Sequence, residues 1–310
     1  MSLHVIVGAG PVGTATALQL AERGEQVRIV TRHGSGPEHP GIELVAADAS
    51  DGPTLTRLCE SAYVLYNCAN PPYDKWTTEW PPLAASLLEA AQLSGAFLLT
   101  VGNLYGYGEV DGPMTEGLPL QTTGMKGRVR ARMWNEALAA QDAGEIRTAE
   151  VRGSDYLGAR TQGIFTVGVL PKILAGSRAF VPANLDAPHS WTYVGDVART
   201  MLAIVDNEHA WGRAWHVPSN PPLSMRELSE RASTIAGAPK PRLSTMPEAV
   251  LWLGGLTDPI VRELRETQYQ FRKPFILDSS AALETFSIEP TPIDTALAET
   301  IAPLMQKAAA

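Results

Sequence analysis

The sequence predicts an α/β fold, a doubly wound parallel sheet with a smaller mixed C-terminal lobe. Three observations predict it. An apolar run over 3–7 ends in Gly8-Ala9-Gly10-Pro11-Val12-Gly13, and a helical pattern begins at once. Strand and helix patterns then alternate as far as residue 151. After Arg152 the rhythm breaks into short elements with frequent prolines. Strands separated by helices imply parallel pairing with right-handed crossovers. Near-continuous apolar strands fit a sheet buried on both faces. A Rossmann-like sheet is therefore expected.

Taken in order, strand patterns fall at 3–7, 26–30, 42–46, 62–67, 96–101 and 146–151. Helical patterns fall at 12–23, stopped by Gly24, then at 54–59, at 79–94 after the break at Pro71-Pro72, and at 126–142. A loop rich in glycine and proline spans 102–124. Further on, helices are expected at 167–174, 197–206 and 226–236, and a strand at 214–217. Residues 1–155 read as a dinucleotide-binding domain, to which a later segment, about 189–220, returns. Residues 156–310 read mainly as a substrate-binding lobe over the open end of the sheet, where ligands of such sheets bind. Ala308-Ala309-Ala310 read as a frayed end.

Bulk properties narrow the class. The 310 residues suffice for a large core, and the formal net charge of −8 argues against a nucleic-acid surface. No apolar run approaches the length of a membrane span. Cys59 and Cys68 are the only cysteines, with no metal-ligand spacing around them. A cytoplasmic protein with a small-molecule substrate, no metal, no nucleic-acid partner and no membrane is expected; a homodimer stays open.

The glycine turn carries the clearest chemistry. Gly8 permits a tight turn, Gly10 lets a pyrophosphate reach bare backbone, and Gly13 lets the helix pack on the strand. Pro11 and Val12 open that helix, whose unpaired N–H groups and positive dipole end favour an anion. The second strand ends in Thr31-Arg32-His33, where an acid usually holds ribose hydroxyls. Arg32 lies 19 residues after Gly13 and suits a 2′-phosphate, which makes NADP (NADPH) the expected cofactor. Asp48 can accept from an adenine amino group or cap the next helix. Ala69 and Asn70, in the stretch after the fourth strand, complete the cofactor set; Asn67 can serve there or as a turn residue. Tyr105 and Tyr107 follow the fifth strand, where a nicotinamide would lie. Tyr105, with Asn103 beside it, is a candidate catalytic residue, and Tyr107 a candidate substrate contact. Asp155, Tyr156 and His189 are further substrate candidates; His189 and His216 can equally be structural, and Asp196 reads as a helix cap.

Several segments together resemble the extended short-chain dehydrogenase/reductase superfamily, the NAD-dependent epimerase/dehydratase type. Leu104-Tyr105-Gly106 resembles its Val-Tyr-Gly, Arg152-Gly153-Ser154-Asp155-Tyr156-Leu157-Gly158 its Arg-x-x-Asn-x-Tyr-Gly-Pro, and Trp191-Thr192-Tyr193-Val194-Gly195-Asp196-Val197-Ala198 its Phe-x-x-Val-x-Asp-Val-Ala. The order is the family's and covers nearly the whole chain. Three features depart from it. The glycine turn is one residue shorter, and Val101 stands at the usual catalytic Ser or Thr, with Thr100 one residue earlier. The third is the loss of the family's Tyr-x-x-x-Lys pair. Aligned on Glu136, Arg128 replaces the tyrosine and Arg132 the lysine; slipped by two, Lys126 and Arg130 do. The resemblance is thus to an atypical branch.

Lys126, Arg128, Arg130 and Arg132 crowd cations near a helix start, where the dipole disfavours them. They form a solvated basic face or a site for an anionic group, and Lys126 is a candidate proton donor. The leading expectation is an NADP(H)-dependent oxidoreductase reducing a small apolar or aromatic carbonyl or conjugated substrate with a non-standard proton donor. The alternatives are a catalytically degenerate NADP(H)-binding sensor or partner protein, a sugar-nucleotide epimerase or dehydratase, and a flavin monooxygenase.

Overall fold

The computed structural model describes residues 1–257 and 259–309, so Ala310 lies outside it. Strand β1 (Leu3–Val7) runs through the middle of the sheet with His4 to Val7 buried. Helix α1 (Pro11–Glu22) follows, with proline where its missing N–H costs nothing. β2 (Gln26–Thr31) and β3 (Ile42–Ala46) lie to one side of β1. α2 (Gly52–Leu58) leads back, and β4 (Ala62–Asn67) lies on the other side. α3 (Trp76–Ser94), β5 (Phe97–Asn103), α4 (Met125–Asp142) and β6 (Thr148–Gly153) continue outward.

α3 starts before the expected position and runs through Pro81 and Pro82. Trp76 and Trp80 explain this. Four residues apart, they share one helix face, and both are buried in the core between sheet and helices. Packing of that face outweighs the backbone bonds the prolines forgo.

The remaining elements are β7 (Asp155–Leu157), α5 (Leu170–Leu174), β8 (Arg178–Val181), β9 (Trp191–Tyr193), α6 (Val194–Val205), β10 (Ala214–His216), α7 (Met225–Ala236), β11 (Arg242–Thr245), α8 (Glu248–Gly254), α9 (Pro259–Leu264), α10 (Tyr269–Arg272), α11 (Ser280–Phe286) and α12 (Ile293–Ala309). The expected helix at 167–174 is two pieces, a widened π turn over Ile164–Val169 and then α5. β10 pairs with β6, so the seven-stranded sheet has the order β10-β6-β5-β4-β1-β2-β3 with every pair parallel. α6 packs on α1. β7 pairs with β9 and β8 with β11 over a separate apolar core that includes Phe165, Trp191, Leu228 and Leu297. No described helix is long and apolar enough to cross a membrane.

Asp196 does not cap α6. Tyr193 holds that position, and Asp196 is the third helical residue, 1% exposed. Its carboxylate accepts from Thr291 N at 2.8 Å, Thr291 Oγ1 at 2.6 Å and Arg199 Nη2 at 2.5 Å, tying the chain before α12 to α6. Asp196→Ala should cost about 3 kcal/mol in urea unfolding, because buried donors lose a charged acceptor.

Candidate active site

The sheet order reverses beside β1: the chain goes to β2 and β3 on one side, then returns to β4 on the other. Loops leaving β1 and β4 therefore diverge and open a crevice at their carboxyl ends. Its floor is the glycine turn. Gly8 has φ +101°, and a Cβ there would stand 2.8 Å from the Cys68 carbonyl oxygen. A Cβ on Gly13 would stand 2.1 Å from the Gly8 carbonyl oxygen. Both positions are fixed by the fold. Gly10 differs: its Cβ would meet nothing within 4 Å. The space in front of Gly10 is open, no side chain caps α1, and no acidic residue lies in its first turn. Uncapped first-turn N–H groups beside open space fit a dinucleotide pyrophosphate.

From Gly10 the crevice runs both ways. Outward, a trough of about 740 Å³ is lined by Gly8, Thr31, Arg32, Asp48, Ala69 and Asn70 among others. Arg32 is exposed, with no ion pair or hydrogen bond among the described residues. Thr31 Oγ1 accepts from Ser35 N at 2.8 Å and so shapes the turn beside Arg32. Asp48 accepts from Ser50 N at 2.9 Å, while Asp51 holds the cap position of α2. Asn67 Oδ1 takes the Ala69 N–H at 3.3 Å, the turn role open to it. Burial pushes the Cys68 thiol up to about 12, so the wall there is neutral.

Inward, a chamber of about 390 Å³ shares Gly10, Cys68, Ala69 and Asn70 with the trough and includes Pro11 and Val12. Its far wall brings together Asn103, Tyr105, Arg130, Asp155, Tyr156 and Arg160. Asn103 Oδ1 accepts the Tyr105 N–H at 3.1 Å and sets that loop. Tyr156 donates its hydroxyl to the Gly102 carbonyl at 3.1 Å. Burial holds the Tyr105 and Tyr156 phenols well above their usual range, so both are neutral and weakly acidic.

Arg130 is the site's unusual charge. It is 7% exposed, donates to the Val101 carbonyl at 3.2 Å, and lies 4.7 and 4.4 Å over the Trp76 and Trp80 rings. Its Nε has no partner, and burial lowers its pKa. The structure decides between the two registers of α4. Lys126 and Arg130 face inward, whereas Arg128, Arg132 and Glu136 face solvent and Arg132 pairs with Glu136. The basic stretch is half a solvated face and half a buried one.

Three candidates lie outside the chamber lining. Lys126 is buried, but its Nζ pairs with Glu263 and sits 4.4 Å over the Tyr73 ring. The chain around α9 covers it, and Glu266 accepts its backbone N–H at 2.6 Å. Lys126 is thus an ion-paired cation outside the chamber lining, behind Tyr73. Tyr107 is buried in a different cluster: its hydroxyl meets His216 Nε2 at 2.8 Å and takes a bond from Arg152 at 2.7 Å, and Arg152 pairs with Glu150 at 2.8 Å. It does not face the chamber, and His216 is a bonded core residue. His189 sits behind Asp155, with Nε2 2.9 Å from Asp155 Oδ2. Sequence reasoning missed Tyr73, Trp76, Gln270 and Phe275, which also line the chamber. Of these only Trp76 carried a signal, an apolar pairing with Trp80 at helical spacing. Among the described residues no group of His, Cys, Asp and Glu could hold a metal.

The sequence model of the NAD dependent epimerase/dehydratase family matches residues 4–217. No curated protein matches the sequence. Among solved structures, WbmH of Bordetella bronchiseptica in complex with NAD+ is similar at 18% identity, with a TM-score of 0.78 and 99% of each chain covered. A UDP-glucose 4-epimerase from Thermotoga maritima with UDP-glucose gives 16% identity and a TM-score of 0.80 over 99% of this chain and 100% of that one. DesIV, a dTDP-glucose 4,6-dehydratase double mutant from Streptomyces venezuelae with NAD bound, gives 17% and 0.78 over 100% of this chain and 98% of that one. At these identities the likeness is one of fold.

Proposed function

The chain belongs to the NAD dependent epimerase/dehydratase family, and we propose that it uses a nicotinamide dinucleotide to act on a hydroxyl- or carbonyl-bearing substrate of the sugar-nucleotide kind. The observation that carries this reading is the single crevice running from Arg32, across the open face of Gly10, to the chamber at Tyr105 and Tyr156. Its length and its uncapped helix start suit a pyrophosphate in the middle with a base at each end. The relatives described with NAD or UDP-glucose support the same assignment. A bound nicotinamide would exchange a hydride with the substrate. The chain would hold the pyrophosphate at α1, orient the reacting group against Tyr105 and Tyr156, and exclude water with the Trp76 and Phe275 side. Arg130 would supply fixed positive charge beneath the reacting oxygen.

Arg32 favours a second reading, an NADP(H)-dependent reductase of a small carbonyl. It is an unpaired guanidinium where the ribose would lie, and β2 ends in Thr31-Arg32-His33 with no acid. Both readings are tested by titrating NAD+, NADH, NADP+ and NADPH, then offering UDP- and dTDP-hexoses and a panel of apolar and aromatic carbonyls. Conversion of a sugar nucleotide supports the first; NADPH consumption on carbonyls alone moves the assignment to the second. Dinucleotide binding with no turnover on either panel would leave a sensor. On the NADP reading, Arg32→Ala should weaken NADPH by about 10- to 100-fold through loss of a charge-assisted bond, and NADH by less than about twofold. Equal losses for both would remove the basis for NADP.

A further inference from the structure

We propose that Asp155 and His189 form a proton-donating pair for the chamber, in place of the tyrosine that α4 lacks. The proposal rests on the cofactor reading above only for the reaction it serves; the pair itself is a property of the unliganded chain. His189 is 4% exposed. Its ring is stacked between Phe271, with centroids 5.0 Å apart and planes 7° from parallel, and Phe275, at 5.3 Å and 23°. The backbone is pinned on both sides: Ser190 N donates to the Phe275 carbonyl and Phe275 N to the Pro188 carbonyl, each at 2.9 Å. The ring therefore cannot turn to find other partners.

The partners of the two His189 ring nitrogens constrain its protons. His189 Nδ1 lies 3.1 Å from the Gln270 carbonyl oxygen. A carbonyl only accepts, so Nδ1 must carry a hydrogen. Nε2 lies 2.9 Å from Asp155 Oδ2, and Ser154 Oγ is more distant at 3.5 Å. A neutral ring with its hydrogen on Nδ1 would point a lone pair at an ionised carboxylate. A neutral ring with its hydrogen on Nε2 would point a lone pair at the Gln270 carbonyl. The Gln270 and Asp155 contacts are both hydrogen bonds when the pair holds two protons, one on Nδ1 and one shared between Nε2 and Oδ2; with one proton fewer, Nε2 is left to the more distant Ser154 hydroxyl. Protein acceptors on both sides of the ring thus build a proton store.

The store opens on the chamber. Asp155 is its cavity-facing member, with 18% side-chain exposure. Oδ1 has no hydrogen bond among the described residues and lies beside Gly163, another lining residue. His189 is the only ionisable basic partner within 4 Å of Asp155 among the described residues. The other titratable groups around the chamber are Arg130 from α4, Arg160 after β7, the Cys68 thiol, which burial pushes up to about 12, and the phenols of Tyr73, Tyr105 and Tyr156. Burial pushes Tyr73 up to about 12 and the other two phenols well above their usual range. Lys126 is held by Glu263. Asp155 is the remaining acid.

The step balances as a proton transfer. The shared proton settles on Asp155, the carboxyl turns about its Cβ–Cγ bond, and the acid O–H breaks as an O–H forms on a substrate alkoxide. The charge passes to the Asp155 carboxylate, leaving His189 neutral, and solvent restores the proton. Asp155 is thereby the catalytic residue and His189 the positioning residue.

The test is nitrogen and carbon NMR on the unliganded full chain, reading the His189 ring nitrogens and the Asp155 carboxyl carbon at neutral pH. The expected result is two protons on the pair: either both ring nitrogens protonated, or Nδ1 protonated with a protonated carboxyl. A neutral ring beside an ionised carboxylate overturns the proposal. Asp155→Asn keeps a donor facing Nε2, so it should fold and show a neutral ring protonated on Nδ1. On the substrate that the panels return, Asp155→Asn should lower kcat at least about 100-fold with dinucleotide Kd unchanged. His189→Gln should lower kcat less and change its pH profile, which a merely structural role would not do. Full kcat in Asp155→Asn overturns the catalytic role. Failure to bind any dinucleotide would overturn the cofactor reading alone, while the NMR shifts decide the pair.

Discussion

Gly10→Ala is expected to leave the unliganded fold untouched and to weaken nicotinamide dinucleotide binding at least about 100-fold, close to 3 kcal/mol. The two halves of the result have separate causes. Gly10 precedes α1 with φ −69° and ψ −177°, extended backbone that alanine adopts without strain. The new methyl would meet no protein atom within 4 Å. Thermal unfolding of the unliganded variant should therefore match the wild type to within about 1 °C, because a surface change of this kind is worth less than ~0.5 kcal/mol. The space it fills is the approach to the first-turn N–H groups of α1, where a pyrophosphate would sit. Gly13→Ala is the contrast, since its methyl would lie 2.1 Å from the Gly8 carbonyl oxygen. That variant should lose about 2 kcal/mol of stability as well as binding, by overpacking strand against helix. Fluorescence titration with NADH and NADPH, beside thermal unfolding, checks both. Undiminished binding by Gly10→Ala would remove the dinucleotide from this turn.

That contrast also marks what the sequence could disclose. The strand–turn–helix at 3–22 was legible because its signals are local: an apolar run, three glycines, then helical spacing. The same holds for β3 and β4, whose observed ends are the expected ones. Local pattern failed where tertiary packing set the boundary, as at Trp76, which draws α3 back by a turn. The candidate site divides along the same line. Its cofactor half follows strand ends, and strand ends can be read in order. Its inner half depends on which face of α4 turns inward, and four alternating cations give no answer in one dimension. Burial of Lys126 and Arg130 settles the register. It then separates the two, because Glu263, 137 residues further on, removes Lys126 from the chamber. The Asp155–His189 contact was equally hidden, since its sense comes from the Gln270 carbonyl, 81 residues beyond His189.

Arg130→Met should separate stability from function, which Gly13→Ala does not. A buried guanidinium without a carboxylate partner is costly to keep, and here burial is the foremost influence on its pKa, pulling it down. Its compensations are one hydrogen bond to Val101, two aromatic faces and the nearby charge of Glu150, which Arg152 also claims. Cation–π contacts in a desolvated site contribute about 1–2 kcal/mol each, and the hydrogen bond about 1 kcal/mol. Replacing a buried charge by an apolar side chain of similar length recovers its desolvation cost, often a few kcal/mol. Methionine also keeps the space between Trp76 and Trp80 filled and packs well on aromatic rings. The opposing terms nearly cancel, so urea unfolding of the unliganded variant should fall within about 1 kcal/mol of the wild type, net of the Val101 carbonyl it leaves unpaired. The catalytic expectation has no such cancellation. Arg130 is the fixed positive charge in the chamber wall beside Tyr105 and Tyr156. Negative charge that develops on a substrate oxygen there would lose its electrostatic support, a loss of about 100- to 1,000-fold in kcat. A lysine at the same place would restore charge but not the planar stacking on both tryptophans, so Arg130→Lys should recover only part of the rate. A stable Arg130→Met enzyme with unchanged kcat would make Arg130 a packing residue and return the chamber's electrostatics to Asp155 and Arg160.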